Sequence, residues 1–192
     1  MPSCKPDPVE EEVSQSLTPA QEEACLSKSS EAVQSLMGKL STQLQAAMKA
    51  GGPESAVAVC QQVAQPITDS TNGELEGLTI SRTSLKFRNA GNAPDQHDRS
   101  ILGKWQALLD RKEELPGHEL IPVGQNRALF YKPIVAQSIC LRCHGDSETF
   151  SPKLQALLDE HYPDDMAHGY QEGDLRGAFR VVIDLKAEPF RN

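Results

Sequence analysis

The order of periodicities along this chain predicts an α+β protein: an antiparallel sheet flanked by helices, with a long helix at its N-terminal end. Helical spacing of apolar residues dominates the first third, and strand-like stretches are spread through the rest with links of hairpin scale. At 192 residues and 38% hydrophobic content the chain has the size of one domain with a core of its own.

Residues 1–25 read as a flexible acidic tail, rich in Pro, Glu and Ser without periodicity, and residues 26–192 as the folded domain. From residue 26 to 50, Leu26, Val33, Leu36, Met37, Leu40, Leu44, Ala47 and Met48 recur at helical spacing. They predict an amphipathic helix of about 35 Å at 1.5 Å per residue, stopped by Gly51-Gly52. Pro53 suits the first turn of a second helix, which ends before Pro66 and leads into a turn-rich link at residues 69–73. Ala56, Val57, Val59, Cys60, Val63 and Ala64 share one face of it, small enough for a flat macrocycle to lie close. The commoner fate of such a Cys60 is that of a small buried hydrophobe.

Residues 78–88 read as a strand with Ile80, Arg82, Ser84, Lys86 and Arg88 on one side. Arg82, Lys86 and Arg88 then form a basic row, which is either a solvated face or a set of forks for carboxylates or structural partners. Asp95 caps a third helix over residues 96–114 with Ile101, Leu102, Trp105, Leu108 and Leu109 as its buried stripe, ended by Pro116-Gly117. Strands follow at 119–123 and 127–135, then a short helix with Ser151 as cap and Pro152 in its first turn, and a closing strand at 175–185.

The second strand of that pair runs into Cys140-Leu141-Arg142-Cys143-His144, the C-x-x-C-H pattern of a covalent c-type haem attachment site. Two thiols at this spacing can add to the two vinyl groups of one haem, and the following His144 is placed to ligate the iron. Zinc would need a second ligand pair at regular spacing, which the chain lacks. A thiol redox motif needs no trailing His, and no βαβ pattern precedes this one. The expected cofactor is one covalent haem c per chain, with Arg82 and Arg88 as candidate partners of its propionates. His97 and His118 sit on polar stretches and read as bystanders.

Charge and cysteine usage bound the setting. With 19 basic and 27 acidic residues the net charge is −8, which argues against a nucleic-acid partner. No apolar run approaches the roughly 18 to 20 residues of a membrane span. Thioether attachment takes place outside the cytoplasm, so a periplasmic or otherwise extracytoplasmic location is expected. Residues 1–12 carry neither a basic nor an apolar signal region, so the secretory signal is expected to lie outside the given sequence. Of the five cysteines, Cys140 and Cys143 go to haem. Cys4 is a candidate lipid anchor ahead of an acidic tether, or a disulfide partner of Cys25; an unpaired thiol is the plainer outcome.

Together these stretches resemble a known family, secreted mono-haem c-type proteins with a PAS-like fold, long catalogued as a domain of unknown function and also found as a sensor domain in signalling proteins. The carriers are Ala56-Val57-Ala58-Val59-Cys60, the Arg82–Asn89 stretch with Asn92-Ala93-Pro94-Asp95, Tyr131-Lys132-Pro133-Ile134, the C-x-x-C-H motif with Gly145, and Tyr162-Pro163-Asp164 followed by Gly169-Tyr170 and residues 173–178. The resemblance implies that Cys60 is the second axial ligand, opposite His144; Met166, His161 and His168 are the alternatives. Gln96-His97-Asp98 and Arg180 depart from the family pattern away from the iron ligands, and touch surface and partner contacts instead.

Two functions follow from such ligation. A thiolate lowers the haem's reduction potential, and its release on reduction would open a site for CO or NO, so a redox- or gas-responsive sensor module is the first expectation. A low-potential periplasmic electron carrier is the alternative. Either needs a redox or signalling protein as partner. An enzyme is not expected, because no acid-base constellation beside an open iron position is legible. The long first helix is a candidate homodimer surface, or more plainly a core-packing helix.

Overall fold

Helix α1 (Pro19–Gly73) opens the fold with a capping box: Thr18 and Gln21 exchange side-chain and backbone hydrogen bonds, and Pro19 sits in the first turn. In this computed structural model, which describes residues 16 to 191, the segment 19–25 is therefore helical and not part of the tail, and Cys25 is fully buried. Cys4 lies outside the described residues.

Gly51 and Gly52 break α1 into two arms, Gly52 with φ 70°, a conformation that favours glycine. The arms fold back on one another. Lys39 Nζ lies 2.8 Å from Glu74 and 3.3 Å from Thr71, groups that a straight helix would hold about 50 Å apart. The second arm runs through Pro66 to Gly73, past the expected stop, so residues 69–73 are its last turns and not a link. Proline costs about 3 kcal/mol in a helix interior. Here tertiary contacts offset it: Ile67 packs against the core, and the Asn72 amide bonds both the N–H (2.7 Å) and the C=O (3.1 Å) of Ile80. That amide also covers the outer edge of strand β1.

The sheet is antiparallel throughout, in the order β1 (Leu78–Thr83), β4 (Leu175–Asp184), β3 (Arg127–Val135), β2 (Glu119–Val123). Side chains alternate as strands require. Ile80, Phe130, Phe179, Val181 and Ile183 meet Val33 and Leu36 of α1 on one face. Leu129, Tyr131, Leu175 and Ala178 meet Ile101, Leu102 and Trp105 of α2 (Gln96–Asp110) on the other. The α+β arrangement expected from the sequence, an antiparallel sheet flanked by helices with a long N-terminal helix, is the one observed.

Strand β1 ends at Thr83, well before residue 88. Ser84 turns the chain, its N–H donating to Asn92 O and its hydroxyl to Arg176 O at 2.7 Å. A Cβ at Gly177 (φ 153°) would lie 2.4 Å from Thr83 O, so glycine lets β4 press onto this turn. The basic row therefore does not form: Arg82 stays on the strand, while Lys86 and Arg88 lie in the loop. Helix α2 stops at Asp110 and not at 114, because the N–H groups of Arg111 and Lys112 close on the carbonyls of Leu108 and Leu109, and Lys112 turns to φ 60°.

Under α2, buried Asp98 accepts from Thr83 Oγ1 (3.0 Å) and Tyr131 OH (2.7 Å). Arg180 completes the network, 2.8 Å from Asp95 and 3.3 Å from Asp98. The departure noted at Arg180 thus forms ion pairs with Asp95 and Asp98 at the start of α2. No helix among the described residues is long and apolar enough to cross a membrane.

Candidate functional site

Strands β3 and β4 are neighbours in the sheet, yet residues 136–174 intervene between them, and this excursion carries α3 (Leu141–His144) and α4 (Pro152–His161). Helix α3 is a single turn, with His144 N–H donating to Cys140 O at 2.9 Å. Positions i, i+3 and i+4 lie on one side of a helical turn, so Cys140, Cys143 and His144 share a face. Gly145 closes the turn; a Cβ there would sit 2.6 Å from Leu141 O.

Three surrounding segments hold this turn. The loop 162–170 lies along it, Gly169 N–H donating to Gly145 O (2.7 Å) and Tyr170 N–H to His144 O (3.0 Å). The loop after β1 joins from the other side through Arg88. That guanidinium pairs with Asp165 at 2.9 Å and donates to the carbonyls of Cys143 (2.6 Å) and Ala167 (3.2 Å). The fork of Arg88 is thus committed to structural partners, one of the two outcomes expected of it. The second arm of α1 packs against α4 through Val57, Leu154 and Leu158, and Cys143 and Tyr162 join that cluster.

His144 is half-buried. Its Nδ1 is 2.7 Å from Ala167 O, so the neutral ring donates there and leaves Nε2 with a free lone pair. Burial first, and then the charges of Arg176 and Arg88, push its pKa well below the usual histidine value. The ring therefore stays neutral, the form that ligates metals.

Cys60, one turn along from Val57, lies within electrostatic reach of Cys143, Arg82, Arg88 and Tyr162. Burial raises its pKa, while Arg82 and Arg88 pull the other way. Cys25, Cys60, Cys140 and Cys143 are all free thiols. Arg82 points from β1 to the α1 side; its Nε is wholly buried and has no hydrogen-bond partner among the described residues. His97, His118, His168 and Met166 are exposed, and His161 ends α4 half-buried. His118 stacks on Phe130, ring centroids 5.6 Å apart.

The structure thus gathers Cys60, Cys140, Cys143, His144, Arg82 and Arg88 around one end of the sheet. Sequence reading assigned no role to Asp165, Ala167, Tyr170 or Arg176. Asp165 and Ala167 act through backbone and loop geometry that no local pattern signals; Tyr170 and Arg176 lay in stretches that carried the family resemblance. Among the described residues no group of three or more His, Cys, Asp or Glu is placed to hold a metal ion.

A family model described as Tll0287-like matches residues 3–184. Among solved structures, the chain is similar to the crystal structure of the cyanobacterial heme-protein Tll0287, with 23% identity, 89% of this chain and 99% of that chain covered, and a TM-score of 0.59. At that identity the likeness speaks for a shared fold. No curated protein matches the chain.

Proposed function

The chain belongs to the Tll0287-like family, and on that premise we propose that it is a mono-haem c-type protein with His144 and Cys60 as axial ligands, working as a redox- or gas-responsive module. The observation that carries this reading is the bond from His144 Nδ1 to Ala167 O: it fixes the tautomer and leaves Nε2 as the ligating atom. The residues suit the group in three further respects. Cys140 and Cys143 are free and on the same side of one turn as His144. Cys60 approaches from another element, and the buried Nε of Arg82, without a hydrogen-bond partner among the described residues, calls for an anion such as a propionate.

Bound haem would supply a one-electron couple whose potential is set by its axial ligands. The chain's own part is to hold those ligands. Arg88 ties the carbonyls of Cys143 and Ala167 to Asp165, which keeps the His144 turn and its acceptor in register. Cys60 rides on an arm that departs from Gly51-Gly52 and reaches α4 through Val57 and through Ser151, whose hydroxyl donates to Glu54 at 2.6 Å. Loss of the Cys60 bond would free one face of that arm, a two-state element that a partner could read.

The alternative, a low-potential electron carrier, is favoured by Ile139 and Met166, large apolar side chains 44% and 39% exposed in the segments that flank the His144 turn, where a redox partner could dock. An extracytoplasmic location goes with either reading. Reducing the haem-loaded protein under CO separates the two. Binding within minutes supports the responsive module; a ferrous protein that ignores CO for hours, yet exchanges electrons with a small redox dye, supports the carrier.

A further inference from the structure

Four cations crowd the end of the sheet beside His144: Arg82 on β1, Lys86 and Arg88 in the loop after it, and Arg176 at the start of β4. Among the described residues a carboxylate pairs with just one of them, Asp165 with Arg88. The other three meet neutral groups or nothing. Arg176 Nη1 donates to Ser84 Oγ (3.0 Å) and Lys86 O (3.2 Å), and its guanidinium lies over the Tyr170 ring at 5.3 Å. Lys86 covers the same ring at 4.6 Å and donates to His168 O. Arg82 Nε is buried with no partner at all. The chain carries a net charge of −8, yet among the described residues no carboxylate forms an ion pair with Arg82, Lys86 or Arg176.

An enclosed guanidinium without an acceptor is costly, and so are two buried cations near one another. Arg82 and Arg176 are both half-buried; burial weakens the hold of each on its proton, and Arg82 feels the field of Arg176. Arg82 Nε lacks an acceptor among the described residues and the Arg176 fork meets only neutral oxygens, so a carboxylate suits both. Arg88 offers no such vacancy, since its fork is taken.

We infer that Arg82 and Arg176 form a carboxylate seat beside His144, filled by one haem propionate. Arg88 is the clamp behind it and not part of it. This rests on the haem reading, and it replaces the pair Arg82 and Arg88, expected from the sequence, with Arg82 and Arg176. Lys86, held over Tyr170, adds charge at the rim of the seat without reaching for a carboxylate of its own.

The experiment uses the haem-loaded protein, with covalent attachment first checked by intact mass. Resonance Raman bands of propionate bending are compared in wild type, Arg82→Gln, Arg176→Gln and the surface control Arg111→Gln. The seat predicts shifted bands in the first two variants and none in the control. It also predicts a rise of about one unit or more in the propionate pKa seen in a pH titration of the reduction potential. Arg82→Lys and Arg176→Lys, which keep charge but lose the fork, should shift the same bands by less and serve where a Gln variant fails to fold.

Unchanged bands in both arginine variants overturn the propionate assignment. In that case acetate titrated into wild type and variants distinguishes the remaining source: a haem spectral change in wild type alone shows that a solution carboxylate takes the seat, and no change in any protein shows that there is no seat. A chain that carries no covalent haem would instead overturn the haem reading itself.

Discussion

The carbonyl oxygen of Ala167 accepts from His144 Nδ1 at 2.7 Å and from Arg88 Nη2 at 3.2 Å, so the orientation of the imidazole depends on an ion pair that it does not touch. Asp165 closes this arrangement, with one oxygen on Arg88 and the other accepting from Ala167 N–H at 2.7 Å.

Asp165→Ala should therefore be costly. It leaves Arg88, whose side chain is 11% exposed, as an unpaired cation, and removes the tie that shapes the 165–167 turn. Urea unfolding should give a loss of about 3 kcal/mol. The Arg88→Met, Asp165→Leu double variant should recover part of it, because no lone charge is then left buried. A loss below about 0.5 kcal/mol for Asp165→Ala would place the pair among ordinary surface bridges and remove the clamp from the account.

On the opposite face of the sheet, Asp98 accepts from the N–H of the cap residue Asp95, from Thr83 and from Tyr131, and is a counter-ion for Arg180. Tyr131→Phe removes one charge-assisted hydrogen bond and should cost about 1.5 kcal/mol. Asp98→Ala strands Arg180 and the Tyr131 hydroxyl together and should cost about 3 to 5 kcal/mol. Because the residues form one network, thermal melts of the double variant should show far less than the sum. Additive losses would mean that the groups act independently.

Cys25, wholly enclosed by the main core, has its thiol pKa pushed up to about 11 by burial. The folded state thus holds a proton that the unfolded chain gives up near the ordinary thiol value. This contribution is intact below pH about 8.5 and is lost as pH rises toward 11, a change of about 3 kcal/mol. Unfolding free energies of Cys25→Ala and wild type over that range should therefore converge. Parallel pH profiles would show that Cys25 is not the titrating group.

The three later strands and α4 were legible with their caps and turns, because strand alternation at residues 119–123 and 127–135 and the Ser151-Pro152 start are local signals that no distant contact overrides. The errors sit where tertiary contacts decide. Pro66 reads locally as a stop, yet Ile67 and Asn72 carry the helix on to Gly73. The β-forming run after Thr83 reads as strand, yet Ser84 and Gly177 turn it into the loop that delivers Arg88. The capping box of Thr18 and Gln21 was a readable signal, masked by the acidic composition before it. At the site, thiols and imidazole are visible as a motif, whereas Ala167 works through its carbonyl, the Asp165 carboxylate gains its role from a partner 77 residues away, and Arg176 acquires meaning only once β4 lies beside β1.

The central claim is the pairing of His144 with Cys60 across one haem, and the most direct measurement is the ferric EPR and optical spectrum of wild type beside Cys60→Ala. The account predicts a low-spin thiolate-ligated signal in wild type that the variant loses, with covalent haem retained by both through Cys140 and Cys143. Identical ferric spectra would contradict it, leaving Cys60 as a packing residue and moving the second ligand to another side chain.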